Sequence, residues 1–283
     1  LESGGKRLRP LFLLSSARLA GYKGDGHITL AGIIELIHMA SLLHDDVVDA
    51  AKIRRGRAAA HSVWGNQIVI LVGDFLYSNA LRKAVSFKDQ RIMEALSEAT
   101  TSMTEGEILQ LQKTADINIT EDEYIKIISA KTGLLISAAC RIGAILSVRP
   151  PAEENAFAMF GLKTGTAFQM ADDILDYMAE ESELGKKLGK DIGEGKITLP
   201  VIYLFKDASA DEKEEIKRII EKPSEEGLRR ILALFRQYSV LEESLKRAQA
   251  LVDEAKDELS IFSDSPDRDA MLSLADYAIS RDK

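Results

Sequence analysis

The sequence predicts an all-α fold, a bundle of long helices, and three observations carry that prediction. Proline is scarce: there are six, at positions 10, 150, 151, 200, 223 and 266. None falls in the 139 residues from Leu11 to Arg149, where helix formers dominate, and a helix interior tolerates proline worst of all residues. No Val, Ile, Thr or aromatic run alternates at period two over a useful length, so nothing marks a strand. Hydrophobic residues make up 46% of 283 residues and charged residues 29%, enough apolar material for a large core and a polar surface around it.

The elements follow in order. Leu8–Ala20 runs apolar into the Gly-rich turn Gly21–Gly26. One long helix is expected over Thr29–Ala50, then others over Val63–Val85 and Asp89–Gln112. Thr120 opens TEDE, a capping-box pattern in which Thr accepts from a first-turn amide and acidic groups suit the positive helix end. That helix should continue to Ser129, with Leu134–Leu146 next. Pro150 and Pro151 start a helix expected to end near Gly161, and Thr164–Met178 follows. Glu180–Gly195, with four glycines, reads as a polar loop, and beyond Pro200 the helices turn charged. With no linker and no low-complexity tract, residues 1–283 are expected to form one domain. The chain opens at Leu1 in the middle of a motif, so a preceding segment is expected.

Charge and cysteine narrow the function classes. Lys and Arg number 37 against 45 Asp and Glu, a formal net charge of −8, which argues against a general nucleic-acid binder. The single cysteine, Cys140, cannot form an internal disulfide, and it lies in an apolar run, so nothing points to an oxidising compartment. The longest apolar stretches, such as Leu134–Val148, are broken by polar residues, here Arg141, short of a spanning helix.

The chemistry sits in two copies of one pattern. SLLHDDVVD holds Asp45, Asp46 and Asp49; FQMADDILDY holds Asp172, Asp173 and Asp176. Both are D-D-x-x-D, and on a helix the i and i+4 acids share a face one turn apart. Like charges at that spacing cost roughly a few tenths of a kcal/mol with nothing between them. A solvated acidic face would have polar neighbours. Instead Leu42, Leu43, Val47 and Val48 surround the first triplet, and Phe168, Met170, Ile174 and Leu175 the second. Acids set in core-type sequence need a counter-ion, and two copies 127 residues apart make chance a poor explanation. All-carboxylate ligands without His or Cys suit a hard cation, and Mg²⁺ typically takes one or two carboxylates and completes its shell with water and phosphate. Two facing carboxylate helices would hold a Mg²⁺–diphosphate between them.

A diphosphate also needs cations from the protein. Gly4-Gly5-Lys6-Arg7-Leu8-Arg9-Pro10 is a compact basic turn at a helix start, and Arg54-Arg55-Gly56 follows the first triplet. Lys131-Thr132-Gly133 comes later, then Lys186, Lys190 and Lys196 after the second triplet.

Taken in order, GGKRLRP, IHMASLLHDDVVD with RRG behind it, VGDFLY, SAKTG, FQMADDILDY and GKxxGKDxxxGKITLP resemble the trans-isoprenyl diphosphate synthases, and among them the bacterial long-chain, octaprenyl-type polyprenyl synthetases. The resemblance covers roughly residues 4–205. It implies an isoprenoid-synthase bundle of antiparallel helices around a central cleft. It implies Asp45 and Asp49 as Mg²⁺ ligands and catalytic residues, with Asp46 supporting, and Asp172 as the principal ligand of the second motif, with Asp173 and Asp176 near the ion through water. Lys6, Arg9, His38 and Arg55 would hold isopentenyl diphosphate. Arg54, Lys131, Lys186 and Lys196 would hold the allylic diphosphate, and Thr132 and Gln169 would line the point where the cation forms. His38 lies seven residues before Asp45, two turns along one face. His44, His61 and Asp74 read as structural, and Cys140 as inert. A homodimer is implied too, with Val63–Val85 and Glu94–Leu111 as interface helices, and a peripheral membrane contact for product release.

The expected reaction is 1'-4 condensation of isopentenyl diphosphate onto an allylic diphosphate such as farnesyl diphosphate. In the resembling family a bulky aromatic four or five residues before the first Asp closes the chain-length pocket. Here Ser41 and Ala40 stand there, so the floor reads as open down to Ile37 and Leu36. A product of about six to ten isoprene units, eight foremost, is the expectation. A shorter-chain (geranylgeranyl or farnesyl) synthase and a non-catalytic subunit of a heteromeric synthase are the alternatives. A terpene cyclase would have no use for Lys6, Arg9 and His38.

Overall fold

The computed structural model describes residues 7–54, 56–178 and 189–280. Among the described residues it is all-α apart from one hairpin of two-residue strands. In order, the elements are α1 Leu8–Leu19, α2 Gly26–Val48, β1 Ile53–Arg54, β2 Arg57–Ala58, α3 Ala60–Trp64, α4 Asn66–Val85, α5 Gln90–Gln112, α6 Glu121–Ile128, α7 Leu134–Leu146, α8 Pro151–Met178, α9 Lys190–Gly193, α10 Leu199–Asp207, α11 Ala210–Glu221, α12 Glu225–Tyr238, α13 Val240–Glu258 and α14 Pro266–Ile279. The antiparallel strands pair Ile53 with Ala58 and Arg54 with Arg57.

The helix expected over Thr29–Ala50 runs Gly26–Val48; of the polar loop expected over Glu180–Gly195, residues 180–188 lie outside the described residues and Lys190–Gly193 is the helix α9. Three further boundaries differ, each for a physical reason. Val63–Val85 is two helices, because Gly65 takes φ +81°, a backbone state that suits glycine and ends α3. The break expected near Gly161 is absent, and α8 runs unbroken for 28 residues. A glycine in a helix interior costs about 1 kcal/mol against alanine, less than what α8 gains by burying Phe157, Phe160, Ala167 and Met170. Between α6 and α7 the chain does not stop either: Ser129–Gly133 is a π-helical turn that joins them. The TEDE cap forms as expected, with the Glu123 amide donating to Thr120 Oγ1 (3.2 Å) and the Thr120 amide donating to Glu123 Oε2 (2.9 Å).

Two stretches, Gly26–Val48 and Glu121–Leu146, are long and apolar enough by length and composition to cross a membrane, which their polar breaks obscure in the linear sequence. In the second, 72% of the most apolar window is buried inside the protein, as in a core helix. The first carries Glu35, His38, Asp45 and Asp46, groups that are costly within a bilayer.

The chain folds as two compact units. One comprises Leu1–Thr100, Leu135–Ala158 and Ser263–Met271; the other comprises Thr101–Leu134, Met159–Phe262 and Leu272–Lys283. In the first unit α2 and α4 run antiparallel. His44, near the C-terminal end of α2, meets Gly73, while Gly26 at its N-terminal end meets Phe87 just past α4. A Cβ on Gly73 would stand 2.3 Å from His44 Nε2, so the glycine of VGD leaves room for the His44 imidazole against α4.

Candidate active site

The first triplet occupies the last turn of α2, with Asp49 as its C-cap. Asp45 and Asp49 share a face, along which Ser41 lies one turn below Asp45 and His38 two turns below. Asp46 points about 100° away. It is 3% exposed, and Arg54 Nε donates to its Oδ1 at 2.6 Å. The hairpin thus turns Arg54 onto Asp46, supplying the cation that a buried carboxylate requires. Arg9 and His38 also come together: Arg9 Nη1 lies 3.0 Å from His38 Nε2. A guanidinium has no lone pair to offer, so His38 Nε2 accepts. Arg7 in turn pairs with Glu35. Two of the residues expected to hold isopentenyl diphosphate are therefore neighbours on α1 and α2. Lys6 and Arg55, the other two, lie outside the described residues.

His44 Nε2 is 3.1 Å from the Ile70 carbonyl oxygen and 3.4 Å from Asp74 Oδ1, a set of contacts that ties α2 to α4. Ala40 and Ile37 are each 2% exposed, so both are already packed into the core, whereas Ser41 is only half-buried and donates to the His38 carbonyl oxygen (2.9 Å). Cys140 is fully buried, and that burial pushes its thiol far up, which leaves it inert.

The second triplet stands near the C-terminal end of α8, inside a hydrogen-bond relay. Thr132 Oγ1 donates to Gln169 Oε1 (2.8 Å), and Gln169 Nε2 donates to Asp173 Oδ1 (2.9 Å). Tyr124, buried on α6, donates its hydroxyl to Asp173 Oδ2 at 2.7 Å. Both oxygens of Asp173 are thereby oriented from the protein side. The π-helical turn presents Lys131 toward α5, where its Nζ reaches Glu107 Oε2 (2.7 Å) and Gln110 Oε1 (2.6 Å). That approach depends on Gly106, since a Cβ there would come within 2.5 Å of Ala130 Cβ. Asp176 Oδ2 accepts from the Asp191 amide (3.2 Å), and Lys196 Nζ pairs with Glu194 (2.8 Å). Lys186 lies outside the described residues.

Tyr124 and Asp191 are not visible as site residues in the linear sequence. Tyr124 is 49 residues from Asp173, so no local spacing could link them. Asp191 sits within the GKD segment of a quoted motif, where the lysines are the more conspicuous residues. Burial raises the carboxyls of Asp173, Asp176 and Asp191; the neighbouring Asp172 raises Asp173 further, and Asp173 and Asp176 do the same to Asp191. The folded state therefore holds protons that the unfolded chain releases. This contribution is fully present below the ordinary Asp range, near 3.8, and is lost as pH rises through the raised values. A divalent cation opposes that loss, because it favours the ionised form. The expected result is that Mg²⁺ raises the melting temperature more at about pH 8 than at about pH 5. Thermal melts with and without MgCl₂ check this; equal shifts at both values, or none, would contradict it.

Among the described residues, no three carboxylates, histidines or cysteines stand close enough to cage a metal on their own. The donors that are present suit a hard cation bound through one or two carboxylates and completed by water and substrate phosphate.

Comparison with known proteins places the chain. The polyprenyl synthetase family model matches residues 1–235. The octaprenyl diphosphate synthase of Escherichia coli K12 is 39% identical over 284 residues, covering 100% of this chain and 88% of that protein. A decaprenyl diphosphate synthase from Rhodobacter capsulatus is 40% identical, with a TM-score of 0.94, over 99% of this chain and 86% of that one. A polyprenyl synthase from Caulobacter crescentus CB15, complexed with calcium and isoprenyl diphosphate, is 41% identical with a TM-score of 0.93, over 99% of this chain and 86% of that one. With its paired D-D-x-x-D helices and its match along the whole length, this chain belongs to the polyprenyl synthetase family, and it is a prenyltransferase with the all-α isoprenoid synthase fold.

Proposed function

We propose that the chain joins isopentenyl diphosphate 1'-4 onto an allylic diphosphate such as farnesyl diphosphate, and that it releases octaprenyl diphosphate. The observation that carries this reading is the pair of triplets, each set among cations and donors suited to a diphosphate: Arg54, Arg9 and His38 by the first, Lys131, Thr132 and Gln169 by the second. Asp45, Asp49 and Asp172 would hold Mg²⁺, with Asp46, Asp173 and Asp176 behind them. The bound ion supplies Lewis-acid charge to the leaving diphosphate.

The protein's own groups do the rest. Lys131, Lys196 and Arg54 hold the allylic diphosphate while its C–O bond breaks, and the electron pair leaves with pyrophosphate. Thr132 Oγ1 and the Gln169 amide present oxygen to the allylic cation. Arg9 and His38 hold isopentenyl diphosphate so that its double bond supplies the new C–C bond. The proton then lost from the former isopentenyl unit passes to pyrophosphate, so no protein base is required. Water must be kept out, since it would trap the cation. Incorporation of labelled isopentenyl diphosphate that stops on chelation and returns with Mg²⁺ supports this reading; incorporation unaffected by chelation contradicts it.

The half-buried Ser41 below Asp45 supports a long product. The packed Ala40 and Ile37 favour a second reading, a shorter one, because they leave less room beside it. We propose a homodimer as well. On α4, Ile68, Leu71, Val72 and Phe75 recur at i, i+3, i+4 and i+7 and are all exposed, with Val63 and Trp64 just before them. Sedimentation equilibrium should give twice 31.2 kDa; the monomer mass would contradict it. A cytoplasmic location, with contact to the membrane on release of the lipid, completes the reading. Fractionation that recovers the protein outside the cytoplasm would overturn it.

A further inference from the structure

The first unit has an end that faces away from its aspartates, and three connections converge there. Gly26 at the start of α2 approaches Phe87, which follows α4, and Leu146, at the end of α7. The turns α1–α2, α4–α5 and α7–α8 therefore share one end. It presents two kinds of side chain. Ile28, Val85 and Val148 are 63%, 58% and 79% exposed. Lys23, Lys83 and Lys88 are exposed beside them, and no ion pair joins them to a carboxylate among the described residues. Asp89 and Glu153 are already held by Arg91 and Arg149, leaving Asp25 as the opposing charge. In a chain of net charge −8 this end is locally basic.

Two of these side chains stand where glycine would be cheapest. Val148 and Lys88 follow the ends of α7 and α4 with φ +52° and +56°, the left-handed cap position that usually takes glycine. For a β-branched residue this backbone is a real strain. The strain accompanies the most exposed apolar side chain of the group.

Ile28 lies 17 residues before Asp45 on α2, about 25 Å along the helix, or close to five turns and about five extended isoprene units. On the reading of the site proposed above, a prenyl chain growing from the first triplet along α2 approaches this end before it is complete. We propose that this end docks on an anionic lipid bilayer, with the three lysines meeting headgroups and the three apolar tips entering the interface, so that the product's tail is delivered where it is soluble.

Co-sedimentation of the full chain with vesicles tests this. The wild type should bind vesicles of phosphatidylglycerol and phosphatidylcholine in equal parts, bind pure phosphatidylcholine weakly, and release at high salt. Lys23→Glu with Lys83→Glu and Lys88→Glu should weaken binding at least about tenfold. Val85→Ser with Val148→Gly should weaken it too, and glycine at position 148 relieves the backbone, so this variant guards against misfolding. Both should keep wild-type incorporation in detergent, since none of these residues is in the catalytic site. Failure of the wild type to bind, or equal binding by the variants, overturns the proposal. So does a change of mass in solution without a change in vesicle binding, which would make this end a protein contact. Vesicle binding without incorporation would remove the synthase reading and keep the docking surface; incorporation without vesicle binding would do the reverse.

Discussion

Asp45→Ala and Asp172→Ala are each expected to lower turnover by at least about a thousandfold while the far-ultraviolet circular dichroism stays that of the wild type. Each removes a carboxylate proposed to hold the ion that draws charge from the leaving diphosphate, and that charge separation is the step the site must support. Neighbouring acids should behave differently, which makes the pair diagnostic. Asp46→Ala strands the Arg54 guanidinium that now meets it at 2.6 Å, so its first effect should be lost stability. Asp173→Asn keeps an acceptor for Tyr124 but sets a second NH₂ against Gln169, so it should disturb the relay to Thr132 rather than abolish the chemistry. Equal losses at all four positions, each with the fold intact, would contradict these separate roles. Steady-state rates alongside thermal melts read both quantities.

Ser41→Phe is expected to shorten the product from about eight isoprene units to three or four. Ser41 lies one turn below Asp45 on the same face of α2, and among the described residues its hydroxyl bonds only within its own helix, to the His38 carbonyl oxygen. An aromatic ring there would therefore project under the growing chain without leaving a buried partner unsatisfied. Ala40→Phe, equivalent to it in the linear reading, is a poorer probe: Ala40 is 2% exposed, and an added ring would overpack the core by roughly 1–3 kcal/mol. Chromatography of the dephosphorylated products decides the matter. An unchanged long product from Ser41→Phe would remove the pocket assignment.

These contrasts mark what a linear reading can and cannot reach. The helical class, the capping box at Thr120 and both acid triplets are local patterns, written in spacings of three and four residues, and all are legible. The unbroken α8 is not, because its two interior glycines are outweighed by burial that only the folded chain reveals. The π-helical turn at Ser129–Gly133 has no sequence period of its own; it coincides with Lys131 reaching α5 and Ser129 reaching Thr166 at 2.9 Å. In the same way, Asp46 and Asp45 look alike as letters. Their different surroundings arise from the hairpin that brings Arg54 back to α2. Tyr124 belongs to the site only through a contact across 49 residues, which no motif records.

The central claim is that this chain extends an allylic diphosphate to a long all-trans product, and one assay tests it most directly. Purified protein with Mg²⁺, radiolabelled isopentenyl diphosphate and farnesyl diphosphate should give a ladder of products ending near eight isoprene units. No incorporation by the folded protein would contradict the claim.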